Sequence, residues 1–504
     1  MEQIDSLLLT SQFQIVKDIY PLLFEFSDDR NKILPDNFNK YGCSKAPRVH
    51  YINFSSSTAS NITLSQYEYI YSFLKSTSFN TQTYQDNWQL LRDQIRASLG
   101  LSDSVDIAFG ASGTDLEYLA TLYGCASNKP LVTYSTLPDE TGSGCLNAAS
   151  GKHFSANDNF GFPVNHDEFL KGFEKFTIKC IPIFLDDEHI SIENQLLSDI
   201  DMYLAKGMHV QIRFIYGSKV GRVFPSIEFI ELLESRYNDN LDIIVDCCQF
   251  RASFEFINDC VSKHRLVMLS GSKFFEGATF SGIFLIPPSK RDRILRSNCP
   301  IPEGIADYFT RNMLPTRMTS FDNILKNSNK DFGLYIRLLT FFFNFSRFAS
   351  LNKGRIDETV SLFVDVVDSH FIKSFHHHGY QIERYVYTPS GYNHDYRSLL
   401  NTVIPFSIVS SDKHISFDEA RSIYRMLYSP HLKHTQDDAM KFSIHLAQPI
   451  ILNGSNNVIF RISLGASLII ELAGMVYSKR EQVLVEHINL LCHRLAFILS
   501  ELQN

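Results

Sequence analysis

No two cysteines in this 504-residue chain are spaced as Cys-x-x-Cys, and the nine present, at 43, 125, 145, 180, 247, 248, 260, 299 and 492, follow no regular interval. That excludes the framework of a disulfide-stapled secreted module, in which adjacent Cys247 and Cys248 would also sit awkwardly. A reducing, cytoplasmic setting is the expectation. Long apolar runs are missing too: "LLTFFFNFSRFASL" is shorter than a membrane span and carries Arg347. The opening "MEQIDSLLLTSQ" has acids where a secretory leader needs a basic flank. Nor is there an excess of positive charge. With 47 Lys and Arg against 55 Asp and Glu, the net charge of −8 does not suggest a nucleic-acid surface, and "SKRDRILR" from Ser289 reads as a solvated helix face. The expected partners are therefore neither nucleic acid nor membrane.

What is present is apolar material for a large core, 44% hydrophobic and 13% aromatic, enough for a large α/β unit with a smaller one appended. "NWQLLRDQIRASLGL" from Asn87 has the period of an amphipathic helix, with Leu90, Ile95 and Leu99 on one side and Gly100 as its stop. Strand-like runs "VDIAFG", "PLVTYST", "IKCIPIFL", "HVQIRFIYG", "LDIIVDCC", "RLVMLSG" and "GIFLIPP" follow, with helical patterns between several of them. That alternation predicts a mainly parallel, covered sheet over roughly residues 60 to 340. A helical pattern from Asp331, "DFGLYIRLLTFFFNFSRFASL", leads into a smaller α+β region. The chain closes with a helix whose Leu484, Ile488, Leu491, Leu495 and Ile498 share a face fit for core packing. "NGSNN" from Asn453 reads as an exposed turn.

In open α/β sheets, ligands collect where the carboxyl ends of strands meet helix starts. "FGASGTDLE" places Gly110, Ser112, Gly113 and Thr114 at such a turn, where amides, hydroxyls and the helix dipole suit a phosphate, although the same pattern caps ordinary helices. "IIVDCCQFR" ends a buried strand in Asp246, Gln249 and Arg251, so Asp246 is either a helix cap or the partner of a buried cation. In "MLSGSKFFEGATFSG", Lys273 stands among hydroxyls and phenylalanines, a setting in which an ammonium is partly buried at a cost. A snorkelling surface lysine is the plain alternative.

These signals in this order, "SGTD", then Asp246 and Gln249 in "DCCQ", then Ser270, Ser272 and Lys273 in "SGSK", resemble the fold type I pyridoxal-phosphate enzymes, specifically the class V aminotransferase and cysteine desulfurase branch. The resemblance implies a large domain with a mainly parallel sheet of the seven-stranded type over 61–340, a smaller α+β domain over 341–504, and an N-terminal segment, 1–60, packing on the small domain. It implies pyridoxal 5'-phosphate as cofactor, an amino acid or small amine as substrate, and a homodimer, to which "LLTFFFNF" would add apolar surface unless core burial accounts for it. Transamination is the reaction expected first, with elimination or decarboxylation as alternatives, and a catalytically weak cofactor-binding partner subunit as the non-enzymatic one.

By the same resemblance each residue receives a task. Lys273 would hold the cofactor as a Schiff base and then carry a proton. Asp246 would keep the pyridine nitrogen protonated, and Gln249 and Ser218 of "YGSKVG" would lie beside the phenolic oxygen. Ser112, Gly113, Thr114, Ser270 and Ser272 would serve the phosphate. Arg461, in "NVIFRISLGASLI", would grip the substrate α-carboxylate, against the alternative of a structural salt bridge.

The departures are as informative. Ser272 stands where the family often has histidine, and "PDETGSG" offers Glu140 and Thr141 where desulfurases have a Glu-His pair whose histidine stacks on the ring. His153 or His445 could supply the missing imidazole, and His445 with Gln448 could sit on a loop over the substrate. Cysteine desulfuration is disfavoured. Between Lys273 and Arg461 only Cys299 occurs, close after the lysine, and Cys492 lies in the last helix. His376, His377 and His378 point in different directions on a helix or strand and have no acidic or cysteine partner nearby, so they read as surface residues.

Overall fold

The computed structural model describes residues 19–503, except 45, 49, 78–80, 186–188, 238–239, 386–398, 411–412, 430–437 and 453–456. The turn expected at Asn453 lies outside the described residues.

Two sheets organise the chain. The strand β1 (Tyr51–Phe54) belongs to the second of them. The first is built from β2 (Asp106–Gly110), β3 (Leu131–Thr136), β4 (Ile178–Ile183), β5 (His209–Tyr216), β6 (Val223–Phe224), β7 (Leu241–Cys247), β8 (Leu266–Ser270) and β9 (Gly282–Ile286). Its order is β2-β9-β8-β7-β5-β3-β4, with β6 paired to the end of β5. Strand β9 runs antiparallel to both neighbours, while the pairs β8-β7, β7-β5, β5-β3 and β3-β4 are parallel. All seven strand-like runs of the sequence are therefore strands of one sheet. The eighth, β6, is only a two-residue arm and too short to leave a period-2 signature.

Strands β2, β3, β5, β7, β8 and β9 are buried throughout, as strands covered on both faces must be. Strand β4 is half exposed, and Pro182, which has no amide to give a ladder, is tolerated there because it lies at the edge.

The second sheet is α+β in character. It comprises β10 (His376–His377), β11 (Tyr380–Arg384), β12 (Val403–Ser410), β13 (Lys413–His414), β14 (Ser443–Ile451) and β15 (Val458–Ser463), ordered β1-β14-β15-β12-β11-β10 with β13 on β12. Strand β1 joins it parallel to β14, with Tyr51–Phe54 opposite Ser443–Leu446. Residues 20–31 lie elsewhere, against the helix Phe332–Ala349, whose buried Arg337 donates to the carbonyls of Leu23, Glu25 and Phe26 at 3.2, 2.6 and 2.7 Å.

Two expectations of packing change. Leu90 is 53% exposed, because the buried stripe of the helix Thr81–Ser98 runs through Trp88, Leu91, Ile95 and Leu99, and Leu90 falls off that phase. The "LLTFFFNF" stretch is core: Leu338, Phe341 and Phe345 are fully buried, and Phe345 packs on Phe250 and Phe275. It therefore offers little to a second subunit. In the helix Tyr477–Gln503 the residues Leu484, Ile488, Leu491, Leu495 and Ile498 are buried, as their spacing indicated. That helix is long and apolar enough to cross a membrane by length and composition alone. Here its stripe faces the fold, and its buried Arg494 donates to the carbonyls of Met426, Ser429, Met440 and Phe442.

Candidate active site at the carboxyl edge of the large sheet

The strand directions bring one row of chain ends together. Gly110 closes β2, Ser270 closes β8, and both lie level with Gly282 at the start of β9. A Cβ on Gly282 would stand 2.5 Å from the Ser112 carbonyl, so only glycine lets the 110–114 turn fold down onto the sheet edge. A cavity of about 260 Å³ opens over this edge and under the second sheet. Among the residues named from sequence, Ser112, Gly113, Thr114, Thr141, Ser218, Asp246, Gln249, Ser270, Lys273 and Arg461 line it.

Lys273 sits on a loop that the protein holds rigidly. The Gly271 and Gly277 amides close it by donating hydrogen bonds to the Ser281 and Gly271 carbonyls, at 2.9 and 3.0 Å, and the Ala278 amide donates to the Thr340 hydroxyl at 2.7 Å. Phe274 and Phe275 are buried on the other side, against Phe348. Their burial turns Lys273 the opposite way, into the cavity, where its ammonium touches no carboxylate or other acceptor among the described residues. The buried Glu276, next in this loop, accepts from Asn53 and from the Ser467 amide and hydroxyl, which ties the lysine loop to the small domain. Burial pushes its carboxyl above the usual range.

Asp246 is not a helix cap. The helix Phe254–Ser262 that follows is capped by Ser253, whose hydroxyl accepts from the Phe256 amide. One Asp246 oxygen accepts from the Cys248 amide at 2.8 Å, which fixes the carboxylate at the end of β7 facing the cavity. Gln249 also lines the cavity, but its side-chain amide donates to the Ser57 carbonyl at 2.9 Å and its oxygen accepts from Arg251 at 3.5 Å, leaving its second N–H and one oxygen lone pair for a ligand.

At the 112–114 turn the amides of Gly113 and Thr114 donate to nothing among the described residues. They precede the helix Leu116–Cys125, so both point where its dipole favours an anion. The hydroxyls there are already engaged by a group the motifs did not announce. Arg30, from the N-terminal segment, donates to Ser112 at 2.9 Å and to Thr114 at 3.2 Å, and pairs with Asp28 at 2.6 Å. Burial alone would lower the pKa of Arg30, but Asp28 outweighs it and raises it. Ser112 in turn donates to Asp115, whose carboxyl burial pushes up to about 6.

Arg461 is fully buried in β15. It donates to the Gln448 carbonyl at 2.6 Å and the Thr58 hydroxyl at 3.0 Å, while its Nε finds no partner. No carboxylate pairs with it among the described residues, which removes the structural salt-bridge reading. Burial lowers its pKa to about 10. The Gln448 carbonyl is free to accept because the β14-β15 register shifts between Ala447 and Ile450, a bulge beside the cavity.

Three sequence assignments fail on geometry. Ser272 is fully buried behind Ser270, its hydroxyl 3.1 Å from that of Ser270, and does not reach the cavity. His445 is buried with its Nδ1 2.9 Å from the Tyr51 hydroxyl and its Nε2 2.8 Å from the Tyr41 carbonyl; burial drives its pKa down to about 3. It is a neutral structural residue, and of that pair only Gln448 faces the cavity. His153 bonds the Tyr308 hydroxyl at 2.8 Å and lies outside the cavity lining. Thr141 does line the cavity, so no imidazole stands at that place. The aromatic faces come instead from Tyr41 and Phe280, with ring centres 5.4 Å apart.

Glu140, beside Thr141, accepts from the Ser218 hydroxyl and lies 3.0 Å from Arg222, and burial pushes its carboxyl up to about 7. Lys219, Lys40, Cys145 and Cys248 also line the cavity and were not assigned from the sequence. Of these, Lys219 and Cys248 had a local signal, the one adjacent to Ser218 and the other inside "DCCQ".

No family model matches this sequence, and no curated protein matches it. Among solved structures it is similar to an alanine–glyoxylate aminotransferase from Nostoc sp., at 10% identity and a TM-score of 0.52 over 89% of this chain and 95% of that one. It is also similar to a ureidoglycine–glyoxylate aminotransferase from Bacillus subtilis, at 10% identity and a TM-score of 0.51 over 88% of this chain and 99% of that one. The chain thus has the fold type I architecture to which its motifs pointed, built on two sheets.

Proposed function

We propose that this chain is a pyridoxal-phosphate-dependent enzyme acting on an α-amino acid, and that its reaction is transamination. One observation carries the reading: a single cavity holds an unpaired lysine, Lys273, a fixed carboxylate, Asp246, two unused helix-start amides, and a buried guanidinium without an acid, Arg461. That donor set fits the cofactor. The Gly113 and Thr114 amides with Ser270 would hold its phosphate, Asp246 would keep its pyridine nitrogen protonated, and Lys273 would bond its aldehyde carbon.

Pyridoxal phosphate, when bound, supplies an electron sink for the charge left at the substrate's α carbon. The protein does the rest. Arg461 binds the α-carboxylate through its planar guanidinium and so fixes which bond at the α carbon stands ready to break. The Lys273 amine would take the proton from the α carbon and deliver it to the carbon that was the cofactor's aldehyde, on the far side of the nitrogen. The aminotransferases that share this fold support transamination over decarboxylation. The test is a single turnover without an acceptor: protein loaded with the cofactor should release one equivalent of 2-oxo acid from a reactive amino acid. Release of carbon dioxide and an amine instead would make it a decarboxylase.

A further inference from the structure

The charges around the cavity do not balance, and the imbalance lies at one end. Glu117 is taken by Arg213, Glu140 lies 3.0 Å from Arg222, and Arg30 is paired with Asp28. Asp246 is the carboxylate assigned to the pyridine nitrogen, and Lys40 is exposed to solvent. Lys219 and Arg461 are left, beside Lys273, with no carboxylate in contact among the described residues. Lys219 is held where it is by its backbone. The turn between β5 and β6 closes through the Gly217 and Ser218 amides on the Arg222 carbonyl, at 3.0 and 2.8 Å, and the Lys219 amide donates to the Glu140 carbonyl at 3.1 Å. The side chain faces the cavity, and its only hydrogen bond among the described residues is a long one, 3.5 Å to the Asp139 carbonyl.

An ammonium so placed is unfavourable. Burial lowers its pKa to about 8, and its neighbours Lys273 and Arg461 push in the same direction. Two cations poised over one cavity need two acid groups from the ligand, and an ordinary amino acid brings one to Arg461. We propose that the substrate is a dicarboxylic amino acid, with Lys219 binding the side-chain carboxylate while Arg461 binds the α-carboxylate. This rests on the enzymatic reading above and narrows its substrate class.

The test is calorimetry on the cofactor-loaded protein with unreactive acids, succinate and glutarate against their half-amides, which differ only in one charge. Cofactor loading is read first from the absorbance spectrum, and a parent protein that takes up none refutes the enzymatic reading and this one with it. In loaded parent protein the diacid should bind about tenfold or more tighter than its half-amide, the worth of one charge-assisted hydrogen bond. Lys219→Gln should erase that preference and leave half-amide binding unchanged, and Lys219→Arg, the check against misfolding, should keep it. Equal binding of diacid and half-amide to the parent, or an equal loss of both in Lys219→Gln, would overturn the assignment. A Lys219→Gln protein that loses cofactor and keeps the diacid preference would also overturn it, and would assign Lys219 to the phosphate.

Discussion

The two ends of the cavity handle positive charge in opposite ways. At the 112–114 turn, Arg30 is locked between Asp28, Ser112 and Thr114, with Asp115 behind. At the other end, Lys219, Lys273 and Arg461 share the lining with no acid paired to them among the described residues. The paired end is a finished piece of architecture, able to hold a phosphate through backbone amides without rearranging. The unpaired end is electrostatically incomplete, and a buried cation without its counter-charge is tolerated where a ligand supplies it.

This contrast can be broken in order of expected effect. Lys273→Ala removes the amine proposed to bond the cofactor and move the proton, so on that reading turnover, measured as 2-oxo acid release, should fall by roughly 10³-fold or more. Asp28→Ala should act on stability: it strands a buried guanidinium, and urea unfolding should register a loss of about 3–5 kcal/mol. A wild-type midpoint for that variant would mean that the paired end is not structural. Arg461→Ala should cost about 2–5 kcal/mol in kcat/KM for an amino acid and leave the corresponding decarboxylated amine nearly unaffected. Equal losses for both would make Arg461 a packing residue.

The smallest effect is the most discriminating. Lys219→Gln in the ligand-free protein should leave stability unchanged or raise it, since it relieves like-charge crowding, whereas removal of a structurally paired cation lowers it. Lys219 also sets a pH dependence. Its pKa is lowered to about 8, so diacid binding should be full below pH 8 and weaken above it as the ammonium loses its proton. Of the other groups facing Lys219, Arg461 and Lys273 repel it, Glu140 attracts it, and Cys145, pushed up to about 12, is neutral throughout that range. Diacid affinity unchanged from pH 7 to pH 9.5 would remove Lys219 from the site.

Much of the fold and the centre of the site were legible in the sequence because both rest on local patterns. Buried parallel strands leave apolar runs, and Asp246, Gly113 and Lys273 each sit directly after one. What stayed hidden depended on long-range placement. Arg30 and Tyr41 reach the cavity only because β1 joins the second sheet and draws the N-terminal segment across the large domain, and nothing in "DDRNK" or "NKYGC" announces that. His445 was misplaced for a related reason. It lies three residues from Gln448, so a regular strand would point the two to opposite faces, and the bulge that aims Gln448 has no sequence signature. Ser272 was assigned by motif position alone, and the turn after β8 brings Ser270 and Lys273 to the cavity wall while packing Ser272 behind it.

The central claim, that Lys273 is the lysine which bonds the cofactor, has one direct measurement. The purified protein is incubated with pyridoxal phosphate, reduced with borohydride, digested, and mapped by mass spectrometry. The expected result is a single stoichiometric pyridoxyl adduct on the peptide containing Lys273, lost in Lys273→Ala. An adduct on Lys219 in the parent protein, or none on any peptide, would contradict it.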